Sequence, residues 1–197
     1  MRRLVLATSN RGKLDELQPL LDGAGFSLVT QGELGVGDAI EDGLTFLENA
    51  LIKARHASAA TGLPALADDS GLVVDALGGA PGLYSARYAG QHGDNQANNA
   101  KLLADMAGFR AEQRRAHFYC VLVLLRHAQD PQPLVAEGIW PGSVLEAARG
   151  SGGFGYDPVF YVPAHGVSAA ELEPALKHRI SHRGRALAQL RERLAEL

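Results

Sequence analysis

The sequence predicts an α/β fold built on a mixed β-sheet, because helical and strand-like segments alternate early in the chain whereas strands cluster in its middle. The 197 residues, 46% of them hydrophobic, suffice to bury one substantial core. No stretch has the composition of a flexible linker, so residues 1–197 read as one domain, either a single unit or one body with two lobes.

Each element has its own signal. Arg3 to Ala7 reads as a short buried strand, and Leu14, Leu17, Leu20 and Leu21 follow at helical spacing, which leaves Thr8 to Lys13 as a strand-to-helix loop. Free backbone N–H groups and the positive end of a helix dipole favour an anion at such a place. Thr45 with Glu48 forms a capping-box pattern, and Leu47, Leu51, Ala54 and Ala57 make one helical face as far as Gly62, with Lys53 near the middle. Pro64 to Ala67 reads as a strand ending in Asp68-Asp69-Ser70-Gly71, after which Leu72 to Leu77 resumes an apolar run. Gly78 to Gly90, with Pro81, Tyr84, Arg87 and Tyr88, reads as an ordered loop, followed by a helix from Gln96 to Met106. His117 to Leu125 is a long strand, Leu134 to Ile139 and Val144 to Ala147 are shorter ones, and the Gly-rich Ser151 to Pro158 precedes a strand at Val159 to Val162. Ser168 with Glu171 repeats the capping-box pattern, and Ser181 is placed to cap a last helix whose Leu187, Leu190 and Leu194 form a core-facing stripe.

Charge and cysteine content narrow the function classes. A net charge of −3 gives no overall electrostatic reason to bind nucleic acid. Lys177, His178, Arg179, His182, Arg183 and Arg185 form a local basic cluster, suited either to a few phosphates or to a solvated helix face. The single cysteine, Cys120, lies in the apolar run Phe118 to Leu125, so no intramolecular disulfide is possible and a reducing, cytoplasmic setting is expected. The apolar start Leu4 to Ala7 is too short for the apolar region of a signal peptide, and the longest apolar run is too short to span a bilayer as a helix.

Several segments carry chemistry. Thr8, Ser9, Asn10, Arg11, Gly12 and Lys13 offer hydroxyls, an amide, a flexible glycine and two cations where a helix begins, which suits a polyphosphate without matching the Walker pattern. An ordinary polar loop with a surface lysine has the same composition. Glu41, Asp42, Asp68, Asp69 and Asp75 are the acids near loops or strand ends, and magnesium takes such hard carboxylate oxygens together with phosphate oxygens and water. Adjacent aspartates on an extended backbone point to opposite sides, so Asp68 and Asp69 divide their work unless a turn rotates them together. Zinc is disfavoured, because arginine follows His178 where the His178/His182 spacing would need glutamate. Phe154 and Tyr156 in their Gly-rich loop can stack on a base or serve as core aromatics, with Asp157 able to accept from ring N–H groups. His182 and Arg183 can present donors at the start of the last helix.

Taken together, Thr8-Ser9-Asn10 with Lys13, Thr45-Phe46-Leu47-Glu48-Asn49-Ala50, Ala67-Asp68-Asp69-Ser70-Gly71-Leu72, Gly78-Gly79-Ala80-Pro81-Gly82, Gly153-Phe154-Gly155-Tyr156-Asp157-Pro158 and Ser181-His182-Arg183-Gly184 closely resemble the inosine triphosphate pyrophosphatase family, in order along the whole chain. The resemblance implies an elongated central mixed sheet flanked by helices, two lobes with a nucleotide cleft between them, and a homodimer. It also implies Mg2+-dependent hydrolysis of deaminated purine nucleoside triphosphates between the α- and β-phosphates. On this resemblance Thr8 to Lys13 and Lys53 grip the triphosphate, Asp69 is the general base, and Glu41 with Asp68 or Asp69 forms the metal site. Ser70, Phe154, Gly155, Tyr156, Asp157, Lys177, His182 and Arg183 surround the nucleotide, with Phe154 stacking and the Ser-His-Arg segment at the purine edge. The expected partner is a small purine nucleotide, with neither nucleic acid nor membrane involved.

Overall fold

The structure is a computed structural model, and it describes residues 2–8, 13, 14, 17, 18, 21 and 25–194. The described strands are β1 (Arg2–Leu6), β2 (Phe26–Thr30), β3 (Ala65–Val74), β4 (Arg115–Leu125), β5 (Leu134–Val144), β6 (Phe160–Val162) and β7 (Val167–Ser168). The described α-helices include α1 (Phe46–Thr61), α2 (Asn95–Asp105), α3 (Pro174–Ile180) and α4 (His182–Leu194). Lys13, Leu14, Leu17, Gln18 and Leu21 are also helical, as the leucine spacing predicts. Among the described residues the sheet has seven strands in the order β2-β1-β3-β4-β5-β6-β7. β1 pairs in parallel with β2 and β3, whereas β5–β6 and β6–β7 are antiparallel, so the sheet is mixed.

The chain divides into two compact units, one of residues 1–69, 120–138 and 183–197 and the other of residues 70–119 and 139–182. In the first unit Leu4, Leu6 and Leu66 from the parallel strands, Leu17 and Leu21, Leu122, and Leu187 and Leu190 of α4 form one buried apolar cluster. The second unit has its own cluster, with Leu72, Leu102, Met106, Phe118, Trp140 and Phe160. Among the described residues no helix is long and apolar enough to cross a membrane.

The Thr45 cap of α1 is formed, with the Glu48 carboxylate reaching back one residue further than in a full capping box, to the Leu44 N–H. The Thr45 hydroxyl oxygen accepts from the Glu48 backbone N–H at 3.1 Å and donates to the Glu48 carboxylate at 3.0 Å, while Leu44 N–H donates to that carboxylate at 2.8 Å. The box at Ser168 and Glu171 closes only a single 3-10 turn, Ala169–Glu171.

Two expectations about strand ends are corrected. β3 runs without a break through Asp68-Asp69-Ser70-Gly71, where low strand propensity predicts a turn, because ion pairs at both aspartates offset the cost of placing acids in a sheet. β5 likewise continues through Trp140-Pro141-Gly142, where two shorter strands are expected. Pro141 lies just before the two residues, Ser143 and Val144, at which β5 pairs with β6. Three elements have no counterpart in the sequence reading: β2, the two-residue β7, and α3, which opens with Pro174 at its first turn.

Candidate active site

The unbroken β3 backbone sends Asp68 and Asp69 to opposite sides, and their surroundings differ accordingly. Asp68 is 3% exposed. Its Oδ1 accepts from Lys13 Nζ at 2.7 Å, and its Oδ2 accepts from Arg183 Nε at 2.9 Å and from the Cys120 thiol at 3.4 Å. Burial alone would raise the pKa of this carboxyl, but the charges and hydrogen bonds of Arg183 and Lys13 outweigh it and hold the group well below the usual carboxylate range. Asp68 therefore stays ionised and fixes two cations, one from the segment after β1 and one from the first turn of α4. The buried Cys120 thiol is pushed well up, first by desolvation and then by the Asp68 charge beside it.

Asp69 pairs with Lys53 Nζ at 2.6 Å, and the same ammonium group lies 3.1 Å from Glu41 Oε2. Here burial is the larger influence and, helped by the Glu41 charge, raises the Asp69 pKa against the opposing pull of Lys53. Burial lowers the Lys53 pKa, but Asp69 and Glu41 more than reverse it. Glu41 reaches Lys53 from a segment without regular structure, tied down where Gly43 N–H donates to the Asn49 side chain at 2.9 Å. A Cβ at Gly43 would stand 2.7 Å from the Asn49 oxygen and from Glu48 Cβ, so the approach needs glycine. Asp42 has no ion pair among the described residues, which singles out Glu41 of the two neighbouring acids.

The donor set bears on a cation. Glu41 and Asp69 converge on one positive charge, whereas both oxygens of Asp68 already hold donors. Among the described residues no group of three or more His, Cys, Asp or Glu side chains is arranged to hold a metal ion alone. The arrangement thus fits a hard divalent cation held by two carboxylates and completed by phosphate oxygens and water, the manner in which magnesium binds.

The second unit carries the aromatic loop. Gly153 adopts φ 71°, and a Cβ there would collide with the Asp157 carboxylate, which accepts from Phe154 N–H at 2.8 Å. Asp157 also pairs with Lys177, whose ammonium lies 4.8 Å from the centre of the Phe154 ring. Phe154 is 53% exposed, an unusual setting for a phenylalanine in an ordered loop, while Tyr156 is buried and donates from its hydroxyl to the Ser85 carbonyl at 2.8 Å. His182 is buried in a stack, its ring 4.7 Å from Phe118 at 12° and 6.3 Å from Trp140 at 15°.

Of the residues singled out in the sequence, the first unit gathers Lys13, Lys53, Glu41, Asp68, Asp69 and Arg183, with Thr8 just past the end of β1. The second unit gathers Phe154, Asp157 and Lys177, and also holds Gly155, Tyr156, His182 and, in its part of β3, Ser70. Ser9, Asn10, Arg11 and Gly12 lie outside the described residues. The sequence reading missed the polar contact of Cys120, which an apolar run disguises as plain core, and beyond a helix it found no motif in residues 91–115, where Asn98 and Asn99 make polar ties.

Residues 4–193 match the Ham1 family. A protein from Xanthomonas campestris pv. campestris (strain 8004) named "dITP/XTP pyrophosphatase" is 64% identical over 197 residues, covering 100% of this chain and 99% of its own. One of the same name from Yersinia pseudotuberculosis serotype I (strain IP32953) is 57% identical over 196 residues, covering all of both chains. Among solved structures, a HAM1 protein from Coxiella burnetii superimposes with a TM-score of 0.95 at 48% identity, again over the full length of both.

Proposed function

The chain belongs to the Ham1 family, and from that membership we propose that it hydrolyses deaminated purine nucleoside triphosphates, namely ITP, dITP and XTP, to the nucleoside monophosphate and pyrophosphate. One observation supports the chemistry more than any other: Asp69, with a raised pKa, shares the Lys53 ammonium with Glu41 while its neighbour Asp68 locks Lys13 and Arg183 in place.

Asp69 accepts the proton of a water that attacks the α-phosphorus in line, and the bond from that phosphorus to the bridging oxygen breaks. Lys13 and Lys53 offset the charge that develops on the departing pyrophosphate. Magnesium held by Glu41 and Asp69 would supply further charge neutralisation at the phosphates. Thr8 to Gly12 complete the triphosphate grip with backbone and side-chain donors. Phe154 stacks on the purine, and Ser70, Gly155 to Asp157 and Lys177 frame it. His182 and Arg183 donate to the oxygen at purine position six, where adenine carries an amino group that would leave those donors unpaired at a cost of about 1–3 kcal/mol each. The whole of residues 1–197 acts as one two-lobed catalytic domain, cytoplasmic and homodimeric, with no nucleic-acid partner.

Pyrophosphate release from ITP, XTP, GTP, ATP, dUTP and dTTP, with and without magnesium, tests the reading for the wild type and for Asp69→Asn. Fast magnesium-dependent release from ITP and XTP, little from ATP or GTP, and loss of turnover with retained nucleotide binding in D69N are expected. A fully active D69N removes the general-base role, and release from a pyrimidine instead overturns the base pocket.

A further inference from the structure

The Gly78 to Gly90 stretch and the paired asparagines of α2 have no part in the chemistry above, yet both are tied to the loop that carries Phe154. Asn99 Nδ2 on α2 donates to the Gly155 carbonyl at 3.0 Å. Its neighbour Asn98 accepts from Ala89 N–H at 2.7 Å and donates to the Ala86 carbonyl at 3.3 Å. The Ser85 carbonyl, one residue before Ala86, accepts from the Tyr156 hydroxyl at 2.8 Å. The Ser85 hydroxyl donates to the Gly82 carbonyl at 2.6 Å and accepts from Leu72 N–H on β3 at 2.9 Å. Three segments of one unit thus form a closed triangle: α2, residues 82–89 and the Gly153–Asp157 loop.

The Asn99 amide also carries an unusual cost. Its Oδ1 is buried and has no hydrogen-bond partner among the described residues. A buried acceptor left unmade destabilises the fold, and turning the amide over would set oxygen against the Gly155 carbonyl oxygen. An apolar side chain would avoid that cost. What asparagine supplies in return is the single donor to Gly155, the residue that follows the exposed Phe154 ring and sits at φ 60°.

We infer that Asn99, together with the Ser85 carbonyl that receives the Tyr156 hydroxyl, is a positioning group that sets the angle and height of the Phe154 ring as a platform for the purine. This rests on the proposed pyrophosphatase reading and adds to it a role for the Gly78 to Gly90 stretch and for α2. The brace touches the base platform alone, because Asp69, Lys53 and Glu41 belong to the other unit. Loosening it therefore weakens purine capture and leaves the phosphate chemistry its own rate.

The test is steady-state pyrophosphate release by wild type, Asn99→Ala and Asn99→Leu, using ITP and the base-free ribose 5-triphosphate, with a thermal midpoint for each. Asn99→Leu keeps roughly the size of the side chain while removing the donor and the unpaired acceptor together, so it serves if the alanine variant folds poorly. KM for ITP is expected to rise about three- to tenfold in each variant, the effect of one lost hydrogen bond, with kcat within about twofold of wild type. On ribose 5-triphosphate every variant should match the wild type. An unchanged KM for ITP beside a lowered thermal midpoint, or equal losses on the two substrates, overturns the inference. Silence of the wild type on ITP overturns the functional reading and this inference with it, a result distinct from either of those.

Discussion

Asp68 and Asp69 are chemically identical and adjacent, yet one is held well below the ordinary carboxylate range and the other is raised from the ordinary aspartate value. The difference follows from the period of two along a strand, which turns one side chain toward Lys13 and Arg183 and the other toward Lys53 and Glu41. A general base works only when deprotonated, and in the metal-free site the raised pKa means that Asp69 takes up its proton above about 3.9, the ordinary aspartate figure. In the metal-free protein the Asp69 carboxyl is accordingly expected to titrate above that figure, read from its carboxyl chemical shift. In Lys53→Met the midpoint should lie higher still, since the charge that opposes the shift is gone. A midpoint at or below about 4 in both proteins would remove the raised pKa that suits Asp69 to the role of base. The sequence alone shows that two acids stand together and face apart if extended; it cannot show which cation each one meets, because Lys13, Lys53 and Arg183 are brought to them by three different elements.

At the level of elements, the first turn of α1 does more than start a helix. The Thr45 and Glu48 capping box and the Gly43 to Asn49 bond fix the short segment from which Glu41 reaches Lys53. Thr45→Ala should cost about 1 kcal/mol, seen as a drop of roughly 2–4 °C in the thermal midpoint of a chain this size, and should weaken the magnesium dependence of turnover. An unchanged midpoint would mean that the box contributes nothing. Local signals such as this box, the Leu14-Leu17-Leu21 spacing and the α2 segment are legible in sequence because each is decided by neighbours a few residues apart. β3 and β5 are misread at Asp68 and at Pro141 because partners distant in sequence override local propensity. β7, two residues long, exists only by pairing with β6.

For the molecule as a whole, each unit is organised around its own apolar cluster, Leu4, Leu66 and Leu190 in one and Trp140, Phe160 and Met106 in the other. The order of motifs along the chain carries the resemblance, and residues 4–193 match the Ham1 family. Their grouping into a carboxylate cluster and an aromatic loop required the fold. The single cysteine adds something of practical use. Cys120 is wholly buried and its thiol is held protonated by burial and by Asp68, so a thiol reagent meets almost no thiolate while the protein is closed. Its modification is a clock for opening of the molecule at β4, with no engineered label needed. In native buffer the labelling should be orders of magnitude slower than in denaturant, and a non-hydrolysable ITP analogue at a hundred times its Kd should slow it by up to about a hundredfold. Every wild-type preparation thus carries, at the foot of its own carboxylate cluster, a timer that reports ligand occupancy through the rate at which one sulfur comes into view.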